Sequence, residues 1–308
     1  MSSKVINIYL GNHNPGSITD FVDFFTEEVR SCGMDPILSY QLFTDTKNLV
    51  VEAFNKDVNG FIKKNFSKYD DRLIMVATEI VKDGVLNSTM PGKDEVQEGW
   101  YNTKAKHWVK RTKYFFDALE YFSTIICVSE EIYESLKPLG LKSKLVYWQP
   151  KFYGSLDDFE SRWLDKNVNT AKSHHFFYSG SLTTYRQSQI DQIIDSEMTV
   201  MLAKQDTPDA IRHKLTRQTA ITLGPKHYKN TLQLSKMRAL WCLNNLYPFA
   251  MERCAAKTDL DDYCMFYDEV SDLVNLAKDI NYTYRECLNR NLNFAKSTIS
   301  APSVFESC

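Results

Sequence analysis

Apolar residues are distributed along the chain in two recurring patterns. Short β-branched or continuous apolar runs lie at residues 5–10, 35–40, 72–77, 124–128 and 145–148. Runs of this length predict strands buried on both faces, as strands of a parallel sheet are. The first run is followed by the turn-rich Gly11-Asn12-His13-Asn14-Pro15-Gly16-Ser17. Thr19 or Asp20 then caps a predicted helix, whose apolar positions Phe21, Val22, Phe24, Phe25 and Val29 recur near the helical period. The run at 124–128 ends in Ser129-Glu130-Glu131, another helix start. Strand–loop–helix units of this kind predict a parallel sheet with helices on its faces.

Between residues 154 and 170 the pattern weakens and turns polar. Strand-like runs resume at 174–178, 199–203, 220–223, 249–251 and 265–267, with helical stretches at 190–194, 207–215, 234–243, 272–277 and 282–296. The chain therefore reads as α/β, with two Rossmann-like domains. The predicted boundaries are an N-terminal domain at 1–155, a linker at 156–173, a C-terminal domain at 174–280, and a closing helix and tail at 281–308. No short-period repeat or low-complexity segment interrupts this plan.

A length of 308 residues suits two domains of about 100–150 residues each. With 43% hydrophobic and 25% charged residues, the chain can bury a full core. A net charge of −2 argues against a protein that holds a long nucleic acid. The sequence has neither a run apolar enough to span a bilayer nor a signal-peptide pattern, which predicts a cytoplasmic protein. Seven cysteines without a C-x-x-C pair fit reduced thiols, and neither a disulfide scaffold nor a zinc site is expected. The 11 glycines form neither G-x-G-x-x-G nor a P-loop, so any nucleotide site must rest on other residues.

Two segments carry the chemistry. In Phe176-Phe177-Tyr178-Ser179-Gly180-Ser181-Leu182-Thr183-Thr184-Tyr185-Arg186 a strand ends in small residues and Arg186 opens the next helix. Backbone N–H groups at such a turn suit a diphosphate, and Arg186 adds a charged planar fork. The alternative is a plain strand-to-helix turn with a surface arginine. The second segment, residues 220–252, contains Pro225-Lys226-His227-Tyr228, then Arg238, Asn244, Asn245, Pro248 and Glu252. In a parallel sheet these loops fall at the carboxyl edge, where ligands bind. Arg238 could meet phosphate and Glu252 a ribose or sugar hydroxyl; otherwise both are helix-surface charges.

These residues resemble the donor domain of GT-B glycosyltransferases. They are similar in pattern to the glycosyltransferases related to spore-maturation proteins and, more loosely, to the DNA glucosyltransferases of T-even phages. The resemblance covers about residues 176–268 and falls on Gly180, Ser181, Arg186, Arg238 and Glu252. In the phage enzymes an acidic residue follows the helix arginine by three positions, where this chain has Trp241. The resemblance implies two Rossmann-like domains with a cleft between them. It also implies a nucleotide-diphosphate sugar as co-substrate, UDP- or GDP-linked, with no bound cofactor or metal.

The N-terminal domain would then receive the acceptor, a glycan, protein or small molecule rather than nucleic acid. Glu79, just beyond the strand at 72–77, is the candidate base, with Asp83 as the second choice; the structural alternative for Glu79 is a helix cap or ion pair. Gly11 and His13 belong to a loop on the cleft in this architecture, although a lone turn histidine is more often solvated. Lys104, Lys106, His107, Lys110, Arg111 and Lys113, interleaved with Trp100, Tyr101, Trp108, Tyr114 and Phe115, read as a helix with an apolar core stripe and a solvated basic face. A sugar- or nucleic-acid-binding strip is the other reading. Asp259-Leu260-Asp261 matches a metal-binding D-x-D, yet so short a pattern is more often a loop or cap. Two rival functions stay open: a non-catalytic nucleotide- or sugar-binding or assembly protein of the same fold, and a nucleic-acid-modifying glycosyltransferase.

Overall fold

The fold was obtained as a computed structural model. It describes residues 5–11, 15–51, 53, 56–82, 84–86, 105–204, 207–227, 229, 231 and 235–307; the side chains of 15–19, 82, 105–108 and 307 are outside the description. His13, Asp83, Trp100, Tyr101 and Lys104 lie outside the described residues, as do the side chains of Lys106, His107 and Trp108. The chain forms two compact units. Unit 1 comprises Met1–Gln149 with Pro302–Cys308, and unit 2 comprises Pro150–Ala301.

Unit 1 contains β1 (Val5–Tyr9), α1 (Pro15–Ser31), β2 (Asp35–Ser39), β3 (Lys47–Val51), α2 (Lys56–Asn65) and β4 (Asp70–Ala77). A short hairpin, β5 (Val81–Lys82) and β6 (Val85–Leu86), precedes α3 (Ala105–Leu119), β7 (Phe122–Cys127), α4 (Glu130–Leu136) and β8 (Lys144–Tyr147). Six strands pair in parallel in the order β2-β1-β3-β4-β7-β8. Central β4 is apolar from Leu73 to Ala77 because both its faces are covered. Asn7 and Asn48, opposite each other in the β1–β3 register, are fully buried and joined by a 2.8 Å hydrogen bond. A one-residue slip would break this bond, so the pair favours the observed register. In α1, Phe24, Phe25 and Val29 pack inward with Glu28 among them. The α3 helix buries Phe115 and Leu119 and exposes Lys110 and Lys113, the core-stripe arrangement.

Unit 2 contains α5 (Phe159–Asn167), β9 (His174–Ser179), α6 (Thr184–Asp195), β10 (Val200–Ala203), α7 (Asp209–Arg217) and β11 (Thr219–Gly224). These are followed by α8 (Lys236–Asn244), β12 (Phe249–Glu252), β13 (Met265–Tyr267), α9 (Val270–Lys278) and α10 (Ile280–Thr298). Its five strands are also all parallel, in the order β10-β9-β11-β12-β13. Residues 156–173, expected as a linker, contain α5. Phe159, Trp163 and Asn167 form a buried stripe one helical turn apart, and Trp163 packs edge-on against Tyr284 of α10 at 5.7 Å. Three buried positions among charged ones make the segment look polar in sequence. One core of unit 2 joins Phe176 and Tyr178 of β9 to Ile190 and Ile193 of α6 and Leu273 of α9.

Counted along each unit, and leaving aside the hairpin, the two sheets share the same strand order, 2-1-3-4-5, with a sixth strand in unit 1. In such a sheet the first and third strands are neighbours and their connections leave in opposite directions. A crevice opens at their carboxyl ends, and ligands of open α/β sheets bind there.

Candidate functional site

In unit 2 the crevice lies where β9 and β11 end. β9 leads into Gly180-Ser181-Leu182 and α6, and β11 leads into Pro225-Lys226-His227. Gly180 has φ 135°, in the region that favours glycine. A Cβ there would lie 2.9 Å from both Arg238 Nη2 and Tyr178 Oη, so the bare backbone is what admits the arginine. Gly180 N–H itself donates to Ala203 O of β10 at 3.2 Å, inside the sheet. Tyr178 Oη donates to Ser181 O at 2.7 Å and holds the turn closed.

Thr183 caps α6, accepting from Arg186 N at 3.2 Å. The same hydroxyl donates to His227 O at 2.8 Å and so ties the α6 cap to the loop after β11. Arg186 makes a second tie. It is buried at 6% exposure; Nη1 donates to Ser181 O (3.1 Å), Nε to Lys226 O (3.0 Å) and Nη2 to Pro225 O (3.2 Å). Its fork, expected to be offered to phosphate, thus clamps the two loops of the crevice together.

Arg238, from the first turn of α8, donates from Nη2 to Ser179 O at 2.6 Å. Its Nη1 is shielded from solvent and has no hydrogen-bond partner among the described residues. Both guanidinium groups lie against the Tyr178 ring, Arg238 at 5.0 Å and Arg186 at 5.6 Å from its centre. Their field is visible on His227, whose pKa is pushed down to about 3 by burial first and then by the charges of Arg186 and Arg238. The crevice is therefore positive, and its histidine stays neutral.

Glu252, at the end of β12, is 2% exposed. Its carboxylate accepts from Tyr185 Oη and, at 2.8 Å, from the backbone N–H of Lys226; Lys226 Nζ stands 3.5 Å away. Burial, followed by the bond to Glu252, raises the Tyr185 pKa. The network continues through Gln189, which donates to Tyr185 Oη at 2.8 Å and accepts from Tyr267 Oη at 3.2 Å. Glu252 thus holds the Lys226 loop in place. Gly180, Ser181, Arg186, Arg238 and Glu252 converge on one crevice, and the sequence reading missed Thr183, Tyr185 and the links through Lys226 and His227. Their signal was positional: each lies within a few residues of the end of β9 or β11.

In unit 1, Gly11 follows β1 with φ 62°, at that sheet's own β1–β3 crevice. Glu79 lies two residues past β4 and is half-buried. After the neighbouring strand β7, Glu131 stands in the first turn of α4, and its Oε2 is shielded from solvent with no hydrogen-bond partner among the described residues. The Asp259 and Asp261 carboxylates serve the fold. Asp259 pairs with Lys236 Nζ at 3.0 Å, and Asp261 accepts from Thr258 N and Oγ1 at 3.0 Å each.

No protein-family profile and no curated protein matches the chain. Among solved structures, sucrose-phosphate synthase from Thermosynechococcus elongatus shares 7% identity over 98% of this chain and 96% of its own, with a TM-score of 0.55. The wall teichoic acid polymerase TagF aligns at 10% identity over 100% of this chain and 86% of its own, with a TM-score of 0.49. The first of these likenesses shows the fold: an α/β chain of two Rossmann-like units, of the GT-B type. Among the described residues, no helix is long and apolar enough to cross a membrane.

Proposed function

We propose that the protein is a glycosyltransferase using a nucleotide-diphosphate sugar, UDP- or GDP-linked, whose diphosphate lies in the β9–β11 crevice. The observation that carries this reading is Arg238: a cation at the switch point whose buried Nη1 lacks an acceptor among the described residues. Leaving such a donor unmet costs about 1–3 kcal/mol, which a phosphate oxygen would recover. The fold shared with a sucrose-phosphate synthase agrees with this reading.

In this assignment Arg238, Lys226 and the N-terminus of α6 take the diphosphate, Gly180 lets Arg238 reach the turn, and Ser181 lies beside it in the same turn. Arg186 and Glu252 hold the two loops in position. In the reaction the bond from the anomeric carbon to the phosphate oxygen breaks, and its electron pair leaves with the nucleoside diphosphate. An acceptor hydroxyl oxygen bonds to the same carbon, and its proton passes to a carboxylate. That base is assigned to Glu79, with Asp83 second, and the acceptor to unit 1. Arg238 and Lys226 stabilise the charge that builds on the departing phosphate.

The test is thermal stability against UDP, GDP and their sugar conjugates, comparing wild type with Arg238→Ala. A ligand at a hundred times its Kd stabilises the folded state by about 2.7 kcal/mol. The expected result is a selective shift with one nucleotide diphosphate that Arg238→Ala abolishes. No shift with any member at millimolar concentration would overturn the proposal. Binding with neither sugar transfer nor donor hydrolysis would instead make the protein a binding or assembly module of the same fold.

A further inference from the structure

At the opposite edge of unit 2, where β9, β11 and β12 begin, lies a cleft of ≈ 440 Å³. Lys166 of α5, His213, Lys214 and Arg217 of α7, and Asn245 and Tyr247 before β12 line it. The volume falls in the range of small-molecule sites. Lys166 Nζ donates to Asn245 O at 3.0 Å and lies 5.4 Å from the centre of the Tyr247 ring. Lys172, just before β9, reaches the same corner and donates to Arg217 O at 2.9 Å and Lys166 O at 3.2 Å.

The acidic groups nearby are already engaged. Asp209 pairs with Arg212 at 2.8 Å and with His213 Nε2 at 2.9 Å, and Asp165 accepts from Asn169 at 2.7 Å. Among the described residues, no carboxylate stands within ion-pair distance of Lys166, Lys172, Lys214 or Arg217. The positive charges therefore face one another. Burial first, and then Arg217, lower both Lys166 and Lys172 to about 8. The geometry points to a second anion site: we propose that this cleft binds a phosphorylated small molecule, its phosphate held by Lys166, Lys214 and Arg217. A strand of six residues, roughly 20 Å, separates it from the β9–β11 crevice, and the two assignments stand independently.

Calorimetric titration of the whole protein with inorganic pyrophosphate tests it. Lys214 and Arg217 are exposed, so Lys214→Ala/Arg217→Ala spares the core. Arg238→Ala silences the other crevice. In the Arg238→Ala background one site should remain, and adding the Lys214→Ala/Arg217→Ala pair should weaken it at least tenfold. In the wild-type background the same pair should remove one binding step, and Lys166→Met should weaken that step alone. Unchanged pyrophosphate binding in all the cleft variants would overturn the proposal. So would a difference that vanishes at physiological ionic strength, since that marks diffuse surface charge. Capture by phosphatidic-acid vesicles that depends on Lys214 and Arg217, without any soluble pyrophosphate site, would overturn it in favour of a lipid headgroup.

Discussion

His227 shows how far single residues in the crevice depart from their solution chemistry. Its folded pKa is about 3, against about 6.5 in an unfolded chain. The folded value is the depressed one, so the unfolded state binds the proton first. The associated stability is complete above about pH 6.5 and is lost as pH falls towards 3, by up to about 1.4 kcal/mol per pH unit. Urea denaturation of wild type and His227→Gln at pH 7.5, 6 and 5 measures this. The variant should lose less stability on acidification than wild type, and parallel losses would show that the histidine titrates normally. The residues of this crevice were partly legible in the sequence. A strand ending in Ser179-Gly180-Ser181, with arginines on the helices that follow, suffices to place Gly180, Arg186 and Arg238 at a carboxyl edge. What Arg186 does there was hidden. Its acceptors Pro225 and Lys226 lie 39 and 40 positions along the chain, and only the β9–β11 pairing brings them together.

Among elements, the pairing of β11 with β12 ends in a contact that admits no side chain. Gly224 pairs in register with Met251. A Cβ on Gly224 would fall 2.0 Å from Met251 Sδ and 2.4 Å from its Cε. Met251 is 1% exposed, so its side chain has little room to retreat. Overpacking of this kind costs about 1–3 kcal/mol. Gly224→Ala should destabilise by about that amount, and combined with Met251→Ala it should cost less than the sum of the two single losses, a favourable coupling in a double-mutant cycle. Strictly additive losses would show that the strands part to admit the methyl. Elements with long apolar runs, such as β4 and β7, were legible from that run alone. β3 was not, because its apolar core is only Leu49-Val50-Val51 and a helix period fits as well as a strand. α2 escaped for a related reason: with Val58, Asn59 and Ile62 as its buried face, one of three core contacts is a polar residue whose amide donates to Tyr114 O at 2.6 Å.

Across the molecule, the two sheets repeat one strand order without a repeated sequence, because that order follows from burying parallel strands under their connecting helices rather than from particular side chains. The extreme C-terminus crosses this division, since residues 302–308 belong to unit 1 although the preceding chain belongs to unit 2. The reason is chemical. Glu28 of α1 is fully buried, and its carboxylate accepts from Trp148 Nε1 at 3.1 Å, Val304 N at 3.1 Å and the Ser303 hydroxyl. Phe305 stands 6.4 Å from Phe25 and seals the cluster. Without residues 302–308 the carboxylate would keep the Trp148 indole but lose both partners from the tail, and Val304 and Phe305 would no longer cover the core. Each hydrogen bond lost from a buried carboxylate costs about 1.5–3 kcal/mol. Deleting 302–308 should therefore destabilise unit 1 by at least that much, read by hydrogen exchange of the β1, β3 and β4 amides, while the β9 and β11 amides of unit 2, with its own core, keep their protection. In the deleted chain Glu28→Leu should restore part of the stability, because an apolar side chain needs no partner there. A deletion that leaves the protection of the β1, β3 and β4 amides unmoved would mean that Glu28 finds other partners, and that the tail contributes little to unit 1.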